Sequence, residues 1–228
     1  MQSRTVSLSL ILFMFAIGHA RAQDTTHHKR PWFISLGGGY NSTKVFGKLL
    51  DKVGTYSTQK NGGSFEINFS AQKQLSELPY IKIGISYLQK RVNPGENPDV
   101  VVYKDTLQTG YLSVPLALGL MIPLDPKKRV FFSLEAGLSG NFKISGRSYH
   151  GPDQAGFKTL PVVLGAQGSG GVIVKLSSLF RLQFLYTYRR DLTDAYRENL
   201  YWDAGEATRT AAFGMRTNSF SAGLMLEL

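Results

Sequence analysis

The stretch Phe180-Arg181-Leu182-Gln183-Phe184-Leu185-Tyr186-Thr187-Tyr188-Arg189 indicates the fold class, because its side chains alternate in character with a period of two. In an extended chain, one face carries Phe180, Leu182, Phe184, Tyr186 and Tyr188, and the opposite face carries Arg181, Gln183, Thr187 and Arg189. Side chains alternate across a β-strand, so this pattern predicts a strand with one apolar and one polar face.

Seven further segments show the same alternation, and helical spacing fits none of them well. The eight segments cover residues 32–41, 64–72, 81–90, 111–120, 132–141, 164–175, 180–189 and 219–228. The chain has 228 residues and no cysteine. One all-β domain without disulfide bonds is therefore the expected organisation.

The connections between these segments alternate between long and short. Long polar connections cover residues 43–62, 92–107, 144–158 and 192–213, and short turns cover residues 74–79, 123–128 and 177–179. Outer-membrane barrels have short periplasmic turns, longer extracellular loops and an even number of strands of about 9–11 residues. The order therefore predicts a closed, antiparallel, eight-stranded transmembrane β-barrel of the outer-membrane type.

The alternation does not say which face points into the barrel. A soluble, lipocalin-like barrel would turn its apolar face inward around a ligand, and this alternative stays open. The polar faces favour the membrane arrangement, because they are rich in small residues and carry charges of both signs that can pair across a lumen. The predicted lumen network consists of Glu66, Lys82, Glu135, Lys175, Arg181, Gln183, Arg189 and Glu227.

Two further features bear on the wall of the predicted barrel. Aromatic residues gather near the segment ends, as the interfacial girdles of a membrane barrel require. Pro115 lies in the middle of a segment and cannot donate a hydrogen bond to a neighbouring strand, so a local β-bulge is expected there. The predicted girdle residues are Trp32, Tyr40, Tyr80, Tyr87, Phe132, Phe180, Tyr186 and Tyr188.

The first 22 residues are typical of a cleaved secretory signal peptide. Arg4 provides a positive charge, residues 8–17 form an apolar core, and Ala20-Arg21-Ala22 fits a small-x-small cleavage site. Residues 23–31 then form a polar leader, and residues 32–228 form the barrel domain. Export with insertion into the outer membrane is the expected localisation.

Several motifs resemble small outer-membrane barrels of the PorT-like "outer membrane protein β-barrel domain" family. They are Tyr111-Leu112-Ser113-Val114-Pro115-Leu116, Phe131-Phe132-Ser133-Leu134-Glu135-Ala136-Gly137 and Asn218-Ser219-Phe220-Ser221-Ala222-Gly223-Leu224. The stretch Ile83-Gly84-Ile85-Ser86-Tyr87-Leu88-Gln89-Lys90-Arg91 also resembles the TraO-like family of conjugative transposons. Both resemblances imply an envelope component, in some members tied to secretion or conjugation machinery.

No catalytic, cofactor or metal site is predicted. His27 and His28 are adjacent in the polar leader, a spacing that suits a solvated tail better than a pair of metal ligands. His150, with Ser148 and Asp153 nearby or Asp191 and Asp194 in another loop, leaves open an enzyme at the barrel rim that acts on lipid A or peptides. Proximity in sequence does not establish a triad.

Removal of residues 1–22, which carry Arg4 and Arg21, lowers the formal net charge from +10 to +8, and this positive charge suggests anionic partners. Lys44, Lys48, Lys52 and Lys60 in the first long connection are placed to meet phosphates of outer-membrane lipid, including lipopolysaccharide. The basic residues are scattered without a recognition motif, so nucleic acid is not an expected partner. We therefore expect a non-enzymatic envelope protein that acts through its surface loops or as an accessory part of a secretion or conjugation assembly.

Overall fold

The computed structural model describes residues 30–46, 62–92, 107–148, 158–200 and 209–228. The predicted signal peptide, all of the polar leader except its last two residues, and His27, His28 and His150 lie outside these ranges. Most of the predicted long connections lie outside them too. No helix in the described part of the chain is long and apolar enough to cross a membrane.

Ten β-strands are described, and eight of them close into an antiparallel barrel, as predicted. The barrel order is β1, β2, β3, β4, β5, β7, β8 and β10, and β10 pairs with β1. The short strands β6 and β9 extend the edge of β10 at the long-loop end and were not predicted. The strands are β1 (Trp32–Phe46), β2 (Gly62–Gln74), β3 (Pro79–Val92), β4 (Leu107–Pro123), β5 (Val130–Ser148), β6 (Lys158–Thr159), β7 (Val162–Lys175), β8 (Phe180–Asp191), β9 (Tyr196–Leu200) and β10 (Arg209–Glu227).

The strand pairing fixes the stagger of the barrel. Following paired residues around the barrel from Phe33 leads back to β1 at Thr43, ten residues further along the strand. Eight strands with this shear leave an interior that side chains just fill. The path runs through Phe33, Gln72, Lys82, Ala117, Gly137, Gln167, Arg189, Thr217 and Thr43.

The apolar faces of the eight strands point outward, and the polar faces point into the lumen. Leu36 on β1 is 61% exposed and Leu116 on β4 is 52% exposed, whereas Ser133 on β5 is fully buried. An exterior of this kind is stable in lipid, because water would meet a continuous apolar band around the molecule. The alternative of an inward apolar face, as in a soluble lipocalin-like barrel, is therefore wrong.

Aromatic side chains lie on the outer wall in two bands, with one correction to the prediction. Trp32 and Tyr40 both point outward and lie eight residues apart on β1. At a rise of about 3.3 Å per residue and a tilt of about 40°, their separation along the barrel axis is roughly 20 Å, close to the height of a membrane barrel's apolar band. Tyr80, however, is completely buried in the lumen. Tyr80 lies two residues before Lys82 on β3, so both side chains point into the lumen. The prediction that Tyr80 belongs to the girdle is therefore wrong.

The predicted bulge at Pro115 is also absent. Pro115 pairs with Ser139 of β5 in regular register, and the shift between β4 and β5 falls between Gly110 and Tyr111 instead. Toward β3, the pairing stops after Leu116 and resumes at Ser113 in the same register. The missing proline donor is thus accommodated by a gap in the ladder, without an inserted residue.

The turn between β4 and β5 is built around Asp125. Its carboxylate accepts hydrogen bonds from the backbone amides of Val130 and Arg129, both at 2.7 Å. The bond from Val130, followed by that from Arg129, holds the pKa of this carboxyl below its ordinary value. Lys128 adopts a positive φ of 50°, which lets the chain reverse within these few residues.

At Gly171, the backbone of β7 lies close to that of β8. A Cβ atom at this position would overlap the carbonyl oxygen of Phe184 and lie 2.9 Å from the Cα atom of Leu185. Gly168 on the same strand has ordinary space, since its nearest contact for a Cβ atom would be the carbonyl oxygen of Glu135 at 3.8 Å. Of these two positions, only position 171 requires glycine for the packing of β7 against β8.

We expect Gly171→Ala to lower the free energy of unfolding by about 1–3 kcal/mol, the usual cost of overpacking. Gly168→Ala is the matched control and should change it by less than about 0.5 kcal/mol. Urea titration of the folded protein in lipid vesicles, followed by tryptophan fluorescence, measures both. Equal midpoints for the two variants would contradict the close approach of β7 and β8.

Candidate functional site

The lumen is the part of the described structure in which charged residues converge, and its short-turn end is filled by an apolar cluster. Arg181 enters this cluster, with its guanidinium carbon 4.4 Å from the centre of the Phe33 ring and 5.2 Å from that of Phe131. Its Nη2 atom donates to Glu227 at 2.7 Å. The cluster comprises Phe33, Tyr80, Met121, Phe131, Ile173 and Met225.

Above the cluster, Lys82 and Glu135 form a buried ion pair. The Lys82 Nζ atom lies 2.9 Å from Glu135 Oε1, and the Tyr80 hydroxyl donates to the same oxygen at 2.8 Å. The side chain of Ser133 is 2.7 Å from the Tyr80 hydroxyl. The carboxylate is thereby satisfied by two donors from β3, as a buried charge requires.

Near the middle of the barrel, Arg189 and Glu66 pair across the lumen. Arg189 Nη1 lies 2.7 Å from Glu66 Oε2, and the Ser219 hydroxyl donates to the same oxygen at 3.1 Å. These residues belong to β8, β2 and β10, so the contact holds together strands that are not all neighbours in the sheet. The Glu66 side chain is 1% exposed.

Toward the long-loop end, Lys90 and Asp191 form the most deeply buried pair. Lys90 Nζ lies 2.7 Å from Asp191 Oδ1, and the two side chains are 1% and 2% exposed. Lys90 comes from β3 and Asp191 from β8, on opposite sides of the barrel order. The other carboxylate oxygen accepts the amide of Met215, and the ammonium lies 5.1 Å from the centre of the Tyr111 ring.

A cavity of about 40 Å³ lies between the Lys82–Glu135 pair and the Arg189–Glu66 pair. Its walls include Glu66, Glu135, Gln167 and Ser169. Glu66 Oε1 and Gln167 Oε1 are buried and have no hydrogen-bond partner within the described residues. A polar cavity of this size suits a few water molecules and excludes a larger ligand.

The structure brings most of the predicted network together. Five of its eight residues, Glu66, Lys82, Glu135, Gln183 and Arg189, line the cavity. Arg181 and Glu227 pair below it. Lys175 lies apart, at the short-turn end beside Arg129, Leu176 and Ser177.

Sequence reasoning missed the pair at the long-loop end and the apolar cluster. Lys90 was placed on a polar face without a partner, and Asp191 was weighed as a rim residue for catalysis. The Asp191 carboxylate pairs with Lys90 and accepts a hydrogen bond from the Met215 amide, whereas Asp194 is exposed. The alternation along each strand could have predicted the cluster, because Phe33, Tyr80 and Met121 occupy lumen-facing positions of their strands.

The chain is similar in fold to solved structures of outer-membrane proteins. Outer membrane protein OprG from Pseudomonas aeruginosa is similar with a TM-score of 0.54 and 11% identity, over 87% of this chain and 97% of that chain. Neisserial surface protein A is similar with a TM-score of 0.46 and 14% identity, over 86% of this chain and 97% of that chain. No family model matches the chain, and no curated protein matches it in sequence. The similarity to OprG shows a barrel fold of the outer-membrane type.

Substitutions of Lys90 and Asp191 test whether the two residues form a direct ion pair in the lumen. Lys90→Met leaves the buried Asp191 carboxylate without its cation, and we expect a loss of about 3–5 kcal/mol in the free energy of unfolding. The double variant Lys90→Met/Asp191→Asn removes both charges and should be less destabilised than Lys90→Met alone. Urea unfolding in lipid vesicles measures both, and strictly additive losses would contradict direct pairing.

Proposed function

We propose that the protein is an integral outer-membrane barrel with a non-enzymatic role in the cell envelope. The proposal rests on the apolar outer wall of the barrel. Around the closed barrel, side chains such as Leu36, Ile83 and Leu138 are more than half exposed and apolar. Burying such a band in lipid is favourable at about 25 cal/mol per Å² of apolar surface. The arrangement suits a protein whose solvent at mid-height is lipid.

The filled lumen supports a role other than general diffusion. Four ion pairs and an apolar cluster at the short-turn end occupy the described interior. The cavity of about 40 Å³ between them has room only for a few water molecules. A barrel packed in this way serves as a rigid support, and its recognition chemistry belongs to the surfaces outside the membrane.

The partners we propose are therefore of two kinds. One is outer-membrane lipid, including lipopolysaccharide, which surrounds the barrel. The other is an envelope assembly for secretion or conjugation, contacted through the long connections. The resemblance of residues 111–116 and 131–137 to the PorT-like family, and of residues 83–91 to the TraO-like family, supports the second kind. We propose membership of this broad group and leave the choice between the two families to experiment.

Cell fractionation with gels of heated and unheated samples tests the proposal. The protein should be recovered in the outer-membrane fraction and should shift in mobility on heating, because a folded barrel resists detergent until it is heated. In planar bilayers the purified barrel should produce no large conductance steps, since side chains fill its lumen. A water-soluble protein, or stable large channels, would contradict the proposal.

The proposed division between barrel and loops needs its own control. Replacing residues 47–61 by a short Gly/Ser linker should keep the heat shift but remove envelope partners that are captured from wild-type cells by chemical cross-linking. His150→Ala tests the rim-enzyme alternative in the same cells. An altered lipid A profile or a lost peptidase activity in His150→Ala would replace the non-enzymatic role with a catalytic one.

A further inference from the structure

We propose that Lys44, Arg190 and Arg216 form a binding site for the phosphate groups of a lipid in the outer leaflet, with diphosphorylated lipid A as the ligand. We call these three residues the outer basic cluster. The inference rests on the proposed outer-membrane location and adds to it a defined lipid site.

The outer basic cluster is assembled by strand register. Arg216 on β10 pairs directly with Lys44 on β1 and with Arg190 on β8. All three side chains are exposed, and each lies an even number of residues from the outward-facing residues of its own strand. Three cations therefore stand side by side on the outer wall of neighbouring strands.

Phe46 orders two of the three cations. The guanidinium carbon of Arg190 lies 4.8 Å from the centre of its ring, and that of Arg216 lies 5.4 Å from it. The ring reaches this position by lying across Gly214, where a Cβ atom would be 2.7 Å from the ring. Held against one aromatic surface, the two forked guanidiniums can present their donors to one phosphate.

Within the described ranges, none of the three side chains has an acidic partner that could compensate its charge. The guanidiniums of both arginines contact the Phe46 ring. Like charges directly opposite on neighbouring strands destabilise a sheet. An anion that bridges the cations removes this cost, and the guanidinium fork can bind a phosphate through two parallel hydrogen bonds.

The height of the cluster favours a lipid over a free anion. Arg190 lies two residues beyond Tyr188, and Lys44 lies four residues beyond Tyr40, toward the long-loop end. With a tilted strand these offsets correspond to about 5 and 10 Å above the aromatic band. The lipid headgroup layer occupies roughly this zone beyond the hydrocarbon. Long loops face the cell exterior in such barrels, so the leaflet is the outer one.

The test measures binding of diphosphorylated lipid A to the full-length folded protein in detergent. The triple variant Lys44→Gln/Arg190→Gln/Arg216→Gln should bind roughly a hundredfold more weakly than wild type, because each basic residue near an anionic surface contributes about fivefold in affinity. Lys127→Gln/Lys128→Gln/Arg129→Gln removes the same charge at the short-turn end and should bind like wild type. Phe46→Leu keeps every charge and should show a smaller loss.

Two further probes separate the source of the phosphate. Dephosphorylated lipid A should bind wild type and the triple variant equally weakly, and millimolar inorganic phosphate should not displace lipid A from wild type. Displacement by inorganic phosphate would overturn the lipid assignment, and equal binding of lipid A by wild type and the triple variant would overturn the site. The heat shift and outer-membrane recovery of the triple variant report separately on the proposed function.

Discussion

Lipid offers no hydrogen bonds to a polypeptide backbone, so a sheet that crosses a membrane must leave no strand edge unpaired. The pairing of β10 with β1 meets this requirement, and the rest of the structure depends on it. Closure with a shear of ten residues sets the tilt of the strands and the width of the interior. It also decides which side chains share a height in the lumen, and thereby brings Lys90 of β3 to Asp191 of β8.

The two faces of the wall meet opposite electrostatic conditions. Inside, charged groups lie in a narrow space of low dielectric, and Lys82, Lys90 and Arg189 each reach a carboxylate within 3 Å. Outside, the apolar band needs no partner but lipid, and Lys44, Arg190 and Arg216 stand together beyond the long-loop aromatic band without an acidic partner in the described ranges. The same rule, that a poorly solvated charge needs a partner, explains the lumen pairs and motivates the lipid site on Arg190 and Arg216.

Period-two alternation, together with the alternating long and short connections, was sufficient to predict the barrel and its strand number. The side that faces lipid was predicted from the small residues and mixed charges on the polar faces, because alternation alone leaves the orientation open. The girdle prediction depended on aromatic character and position near a segment end, and it was wrong for Tyr80. Tyr80 lies two residues before Lys82 on β3, and this spacing marks it as a lumen residue. The partners within the lumen could not be predicted, because a pair such as Glu66 and Arg189 depends on the stagger of strands that are distant in sequence. The short strand β9 has no alternating apolar face and is defined only by its pairing with β10 and β6.

Labelling from within the bilayer identifies the side chains that face lipid. A small, lipid-soluble carbene reagent can be activated in phosphatidylcholine vesicles that contain the folded protein, and the modified residues can be identified by mass spectrometry. We expect modification of Leu116, Leu134 and Phe184, and protection of Ser113 and Ser133 on the lumen face of the same wall. Modification of the two serines with protection of the three apolar residues would contradict this expectation.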